Sequence, residues 1–141
     1  VLRNKIYENE IKNKFDLTSI IDSSVQVPND LTLGKGVIIY PKVTLSYDVT
    51  IRDNVTVNYN TLLGHNLIVG KNTFIGPGVT IPGRCQIGNN CVIGAGSTFM
   101  EGVNVCDDSI IGVGTTVLTN INNPSMVMDM PRKLVKKLDE K

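Results

Sequence analysis

Counting in steps of six from Ile21 lands on an apolar residue every time: Val27, Leu33, Ile39, Leu45, Ile51, Val57, Leu63, Val69, Ile75, Ile81, Ile87, Ile93, Phe99, Val105, Ile111 and Val117, with no insertion in the register. The residue after each is often glycine, as at Gly34, Gly64, Gly70, Gly76, Gly88, Gly94 and Gly112. Two residues before stands a small or β-branched side chain, such as Val37, Val49, Val55, Thr73, Val79 or Cys91. An amphipathic helix needs apolar residues three and four apart, and a period of six would wander around its surface. A plain strand alternates in twos, yet Gly, Asn and Asp recur too often to leave strands longer than about five residues. A short strand followed by a tight corner, repeated, satisfies the pattern. The pleat then turns the large aliphatic and the small residue two before it inward. Gly, Asn and Asp supply the positive-φ backbone that corners need.

Three hexads close one triangular coil, so residues 18 apart stack at a strand spacing of about 4.8 Å. The pattern predicts an all-β chain, a parallel β-helix of just under six triangular coils over residues 19–122. Each coil buries its face only against its neighbours, so the ends need caps. Residues 1–18, containing "LRNKIYENEIKNK", read as a short polar connecting helix and a lead-in. Residues 123–141 read as an exit loop and a short basic helix. Tyr40, Tyr47, Leu62 and Met100 fall on outer faces, which favours packing against further copies of the chain.

Composition narrows the function classes. At 141 residues the chain is one domain, and with 5% aromatics and no Trp its core must be Val, Ile and Leu. A net charge of +1 with no basic stripe argues against nucleic acid as a partner. No apolar run is long enough to span a membrane, and the amino end has no signal-peptide core, so a cytoplasmic protein is expected. Cys85, Cys91 and Cys106 are an odd number without CxxC spacing, which points to reduced, packed thiols and not to a disulfide framework or zinc knuckle.

The repeat, together with "VNYNTLLGHNLIVGKNTFIGPGVTIPG", resembles the hexapeptide acyltransferases. The likeness is strongest to the sialic acid O-acetyltransferases and the amino-sugar N-acetyltransferases of bacterial glycan synthesis. That resemblance implies left-handed coils, a homotrimer, and acetyl-CoA lying in the groove between neighbouring prisms. It also implies transfer of an acetyl group to a hydroxyl or amine of a small-molecule sugar, with no metal. Members of that group carry an amino-terminal Rossmann-like half for the nucleotide sugar, and this chain begins where their connecting helix would be. The expectation is therefore a carboxy-terminal portion of such an enzyme or a short relative with another acceptor. Residue by residue, the resemblance puts the general base at His65 and the backbone oxyanion donor at Gly83. Asn58 falls at a substrate-binding position. Ala95 and Val113, in "IGAG" and "IGVG", together with Lys133 in the tail, match the segments that hold the CoA arm. Asn66 stands where the family commonly has a carboxylate, which leaves it to orient the imidazole or to meet substrate. Phe74 replaces a second histidine found in some relatives.

The spacing agrees in part without the family. His65 and Gly83 are 18 apart and so occupy successive coils, about 5 Å from each other, a gap that would admit a thioester carbonyl. Attack on a thioester needs removal of a proton and stabilisation of an oxyanion, and these two groups can supply both. Ala95 and Val113 form another column. Glu101 lies two coils on in the His65 column, and Asp48 lies one coil beneath Asn66. Each is either support for the imidazole or a solvated charge. No Cys or Ser is spaced against His65, which favours direct transfer over a covalent enzyme intermediate. With a single histidine, the three-histidine zinc site of the carbonic anhydrases built on the same prism is out of reach. The other reading is a non-catalytic trimerisation or scaffold module.

Overall fold

The computed structural model describes residues 2–129. It is a left-handed parallel β-helix of hexapeptide repeats, three sheets folded into a triangular prism. The first sheet stacks Ile20–Ile21, Ile38–Ile39, Thr56–Val57, Phe74–Ile75, Val92–Ile93, Ile110–Ile111 and Met126–Val127. The second stacks Thr44–Leu45, Leu62–Leu63, Thr80–Ile81, Thr98–Phe99 and Thr116–Val117. The third stacks Thr32–Leu33, Val49–Ile51, Leu67–Val69, Gln86–Ile87 and Asn104–Val105. Every ladder from Ile20 to Val117 runs parallel at a register of 18, as in Ile39↔Val57 and Ile87↔Val105. The inward positions form one core, with Ile51, Leu63, Val69, Ile75, Ile81 and Ile93 fully buried among their stacked equivalents.

Two edges of the pattern differ from expectation. Val27 is 49% exposed and makes no strand, because Pro28 follows it and lacks the N–H that bonds to the next coil after Ile21 and Leu33. At the other end the step shortens to 16. Ile121 bridges to Val105, and Met126–Val127 pair with Ile110–Ile111. The first sheet therefore gains a strand inside the segment read as an exit loop. The basic helix expected beyond it lies outside the described residues.

Corners use two distinct glycine sets, where the pattern suggested one. Positive φ recurs every sixth residue from Gly36 to Gly114 and is filled by glycine, Asn or Asp except at Lys42 (φ 60°) and Arg84 (φ 60°). The glycines just after the buried aliphatics are not among them. They are small because the next coil passes overhead: a Cβ on Gly70 would lie 2.4 Å from the Gly88 carbonyl carbon, and one on Gly94 2.5 Å from the Val113 nitrogen.

At the amino end, helix α1 (Leu2–Ile6) runs into a single π-turn, Tyr7–Ile11. It docks on one prism edge, where Arg3 donates to the Gly36 carbonyl at 2.8 Å and Asn4 to the Asn72 carbonyl at 2.7 Å.

Candidate functional site

The three prism edges carry different chemistry. One stacks Pro41, Tyr59, Pro77, Ala95 and Val113 at its corner. A second stacks Tyr47, His65, Gly83 and Glu101. The third stacks Lys35, Asp53, Lys71, Asn89 and Asp107. On the third edge three corner N–H groups are taken by the side chain one coil up: Lys35 by Asp53 at 2.8 Å, Lys71 by Asn89 at 3.0 Å, Asn89 by Asp107 at 2.7 Å. These are N–H groups satisfied by short carboxylate or amide side chains at the right height.

At Gly83 on the second edge no such side chain is in place. The side chain one coil above Gly83 is Glu101, and its carboxylate is held by Arg84 at 2.7 Å. Among the described residues the Gly83 N–H has no acceptor. Beneath it, Gly64 keeps the space open, since a Cβ there would sit 2.5 Å from the Gly83 nitrogen.

His65 lies on this same edge, half-buried, and the structure brings it and Gly83 into direct contact. An added Cβ on Gly83 would meet the ring Cε1 and Nε2 at 2.5 Å. The imidazole thus rests on the glycine, and the gap expected between them is closed. The cause is the missing side chain at 83, with Tyr47 stacked on the other face of the ring at 5.1 Å and 7° between planes. His65 Nδ1 lies 2.9 Å from Asn66 Oδ1, and the Asn66 amide nitrogen in turn donates to Asp48 Oδ2. Nε2 is 3.8 Å from Glu101 Oε1. Both carboxylates weighed from the sequence therefore sit in one network with the histidine. Asn66 uses both ends of its amide inside this network. Tyr47, Gly64 and Arg84 are parts of this site that spacing did not single out. Tyr47, at 18 residues before His65, had a signal that could have found it.

The remaining sequence-derived residues lie elsewhere. Asn58, Ala95 and Val113 belong to the first edge, where Asn58 donates to the Ile75 carbonyl at 2.8 Å and Val113 is 79% exposed. Lys133 lies outside the described residues. A hollow lined by Arg52, Gly70, Gln86 and Asn104 does not include His65. Among the described residues His65 stands on a prism edge, outside the hollows lined by neighbouring strands.

Among the described residues no group of three His, Cys, Asp or Glu side chains is placed to hold a metal ion. Cys85 and Cys91 are inward and buried, and burial pushes both thiols up, Cys91 to about 11. Such thiols are poor nucleophiles near neutral pH. No helix of the described residues is long and apolar enough to cross a membrane.

Comparison with known proteins follows the fold. The family model for bacterial transferase hexapeptide (six repeats) matches residues 48–83 and 84–119. The acetyltransferase domain of PglB from Neisseria gonorrhoeae FA1090 is 24% identical, with a TM-score of 0.86, over 94% of this chain and 64% of that one. PerB from Caulobacter crescentus, solved with CoA and GDP-perosamine, is 27% identical with a TM-score of 0.82, over 90% of this chain and 60% of that one. WeeI from Acinetobacter baumannii AYE is 17% identical with a TM-score of 0.79, over 90% and 61%. This chain thus spans under two thirds of the length of each. No curated protein matches the sequence.

Proposed function

The chain belongs to the bacterial transferase hexapeptide family, and on that premise we propose that it transfers an acetyl group from acetyl-CoA to a hydroxyl or amine of a sugar. The observation that carries the reading is an imidazole packed where a Gly83 side chain would stand, on a residue whose backbone N–H has no acceptor among the described residues. Support comes from PerB, which binds CoA and GDP-perosamine on the same architecture.

In this reading His65 Nε2 takes the proton of the acceptor as its oxygen or nitrogen attacks the thioester carbon. The Gly83 N–H donates to the oxyanion, and collapse expels the CoA thiolate. The proton leaves on the imidazole, which faces the Glu101 carboxylate. The base is worth roughly two to four orders of magnitude in rate and the oxyanion donor roughly two to three. A neighbouring copy closes a cleft over this edge, offering its first edge with Ala95 and Val113 as the backbone along which pantetheine lies. A homotrimer provides three such seams. Asn58 and Lys133 are assigned to acceptor and CoA on family resemblance.

One observation favours the scaffold reading: the ring rests on Gly83 with no gap for a carbonyl between them. Two measurements decide. Purified protein is assayed for acetyl-CoA-dependent transfer to amino and hydroxy sugars, free and nucleotide-linked, and His65→Ala should lower kcat about 10²–10⁴-fold. An unchanged rate removes His65 as the base. Calorimetry with CoA should show binding, and none at millimolar concentration would establish the scaffold.

A further inference from the structure

The network on the far side of His65 has a direction, and direction is information about protons. Asp48, Asn66 and His65 are consecutive links on the second edge, with Asp48 one coil beneath Asn66. Asp48 is itself anchored, its backbone N–H donating to Asp30 Oδ2 at 3.0 Å. An ionised carboxylate only accepts hydrogen bonds. Asn66 must therefore turn its NH₂ toward Asp48, which leaves its carbonyl oxygen facing the ring. A carbonyl oxygen also only accepts, so the ring nitrogen 2.9 Å away must carry a hydrogen. The opposite amide orientation would set two acceptors, Asn66 Oδ1 and Asp48 Oδ2, against each other.

We propose that Asp48, acting through the Asn66 amide, holds neutral His65 as the Nδ1–H tautomer and so keeps the Nε2 lone pair free. Asp48 and Asn66 are positioning residues. They do not touch the reacting atoms. When Nε2 takes a proton, the imidazolium keeps its Nδ1–H bond to Asn66, and the amide goes on donating to Asp48. Tyr47 stacks on the ring face, while Glu101, neutralised by Arg84, faces Nε2. No other group then offers Nδ1 an acceptor among the described residues. The inference goes beyond the transferase reading, in which His65 is the base, by naming what selects the proton's place on the ring.

The experiment exploits the single histidine in the chain. In the ¹⁵N-labelled 141-residue chain, ring nitrogens give one pair of resonances, read at alkaline pH where the imidazole is neutral. The expected result is a protonated, pyrrole-type Nδ1 and an unprotonated, pyridine-type Nε2, the reverse of the form neutral imidazole favours in water. Asp48→Asn suits the left-handed backbone at 48 (φ 53°) and removes only the obligate acceptor. It should shift the pair toward Nε2–H and lower kcat about 10–100-fold with KM for acetyl-CoA little changed. Asn66→Asp in the Asp48→Asn background places a carboxylate directly on Nδ1 and should restore both signals and rate. An Nε2–H tautomer in the unaltered protein, or resonances that Asp48→Asn leaves in place, overturns the proposal. The expected tautomer together with transfer insensitive to His65→Ala would uphold the Asp48 role and sink the base assignment instead.

Discussion

At position 83 the absence of one methyl group decides where the only imidazole sits. Gly83→Ala would place a Cβ 2.5 Å from two ring atoms, and the ring, being the far end of a half-exposed side chain, is what yields. Displacing a base by about 1 Å costs on the order of 100-fold. Transfer should therefore fall by at least that much in Gly83→Ala while the melting temperature changes by only a few degrees, measured by steady-state kinetics beside thermal unfolding. The same scale governs the thiols. Cys85 and Cys91 point into the prism and are fully buried, and Cys106 is only partly covered. Iodoacetamide on the native protein should label Cys106 first, with Cys85 and Cys91 reacting only on unfolding, as peptide mass spectrometry would show. Linkage follows from the Cys91 shift. The native thiol holds its proton up to about 11 while the unfolded thiol loses it near 9, so stability falls as pH rises between those values.

Among elements, the repeating corner is where pattern reading succeeded most and where its limits have a physical cause. An unbroken step of six dictates the 18-residue coil, the inward aliphatics and the stacking of His65 with Gly83, because register is arithmetic on sequence. Side-chain direction is not. Nothing in spacing says that Asn66 would reach down to Asp48, or that Glu101 would turn to Arg84 and leave the Gly83 N–H bare. Nor does spacing separate a glycine needed for positive φ from one needed for clearance, since both read as Gly. The distinction is testable. Gly70→Ala drives a methyl into the Gly88 carbonyl and should cost on the order of 2–3 kcal/mol or more, as backbone cannot step aside. Gly78→Ala meets nothing within 4 Å and pays only the left-handed penalty of roughly 1–2 kcal/mol. Lys42→Asn relieves that same penalty at a φ of 60° and should raise stability by about 1 kcal/mol. Chemical denaturation of the three variants orders them. Equal losses for Gly70→Ala and Gly78→Ala would contradict the two-set account. The shortened last coil escaped notice for a simpler reason: Ile121 and Met126 fall off the step of six, and only their pairing with Val105 and Ile110 reveals them.

Across the whole molecule, the third edge is sealed by the amino-terminal helix through a chain of amides. Asn54 donates to Asn72 at 2.8 Å, Asn72 to Asn90 at 3.2 Å, and Asn90 to the Asp108 carboxylate at 3.0 Å. The terminal carboxylate sets the direction of this run, as Asp48 does for Asn66. Asn72 also donates to Glu8 at 2.8 Å, tying the π-turn to the prism. Lys12, and then Asn72, hold the Glu8 carboxyl below its ordinary range. A carboxylate with a depressed folded value contributes stability that is present above its ordinary pKa and fades as pH falls through the folded one. The docked helix should therefore loosen first on acidification below pH about 4.5, before the coils unfold, because a solenoid holds each repeat only by its neighbours. Hydrogen exchange at Ile11 through Phe15 should rise in that range while the amides of Val57, Ile75 and Ile93 stay protected. Asn72→Gly keeps the left-handed backbone, removes the Glu8 contact and should flatten that pH dependence, with the helix already loosened at neutral pH. A helix that stays protected to the global transition in both proteins would mean that Arg3 and Asn4, with the buried side chain of Tyr7, hold it without the carboxylate.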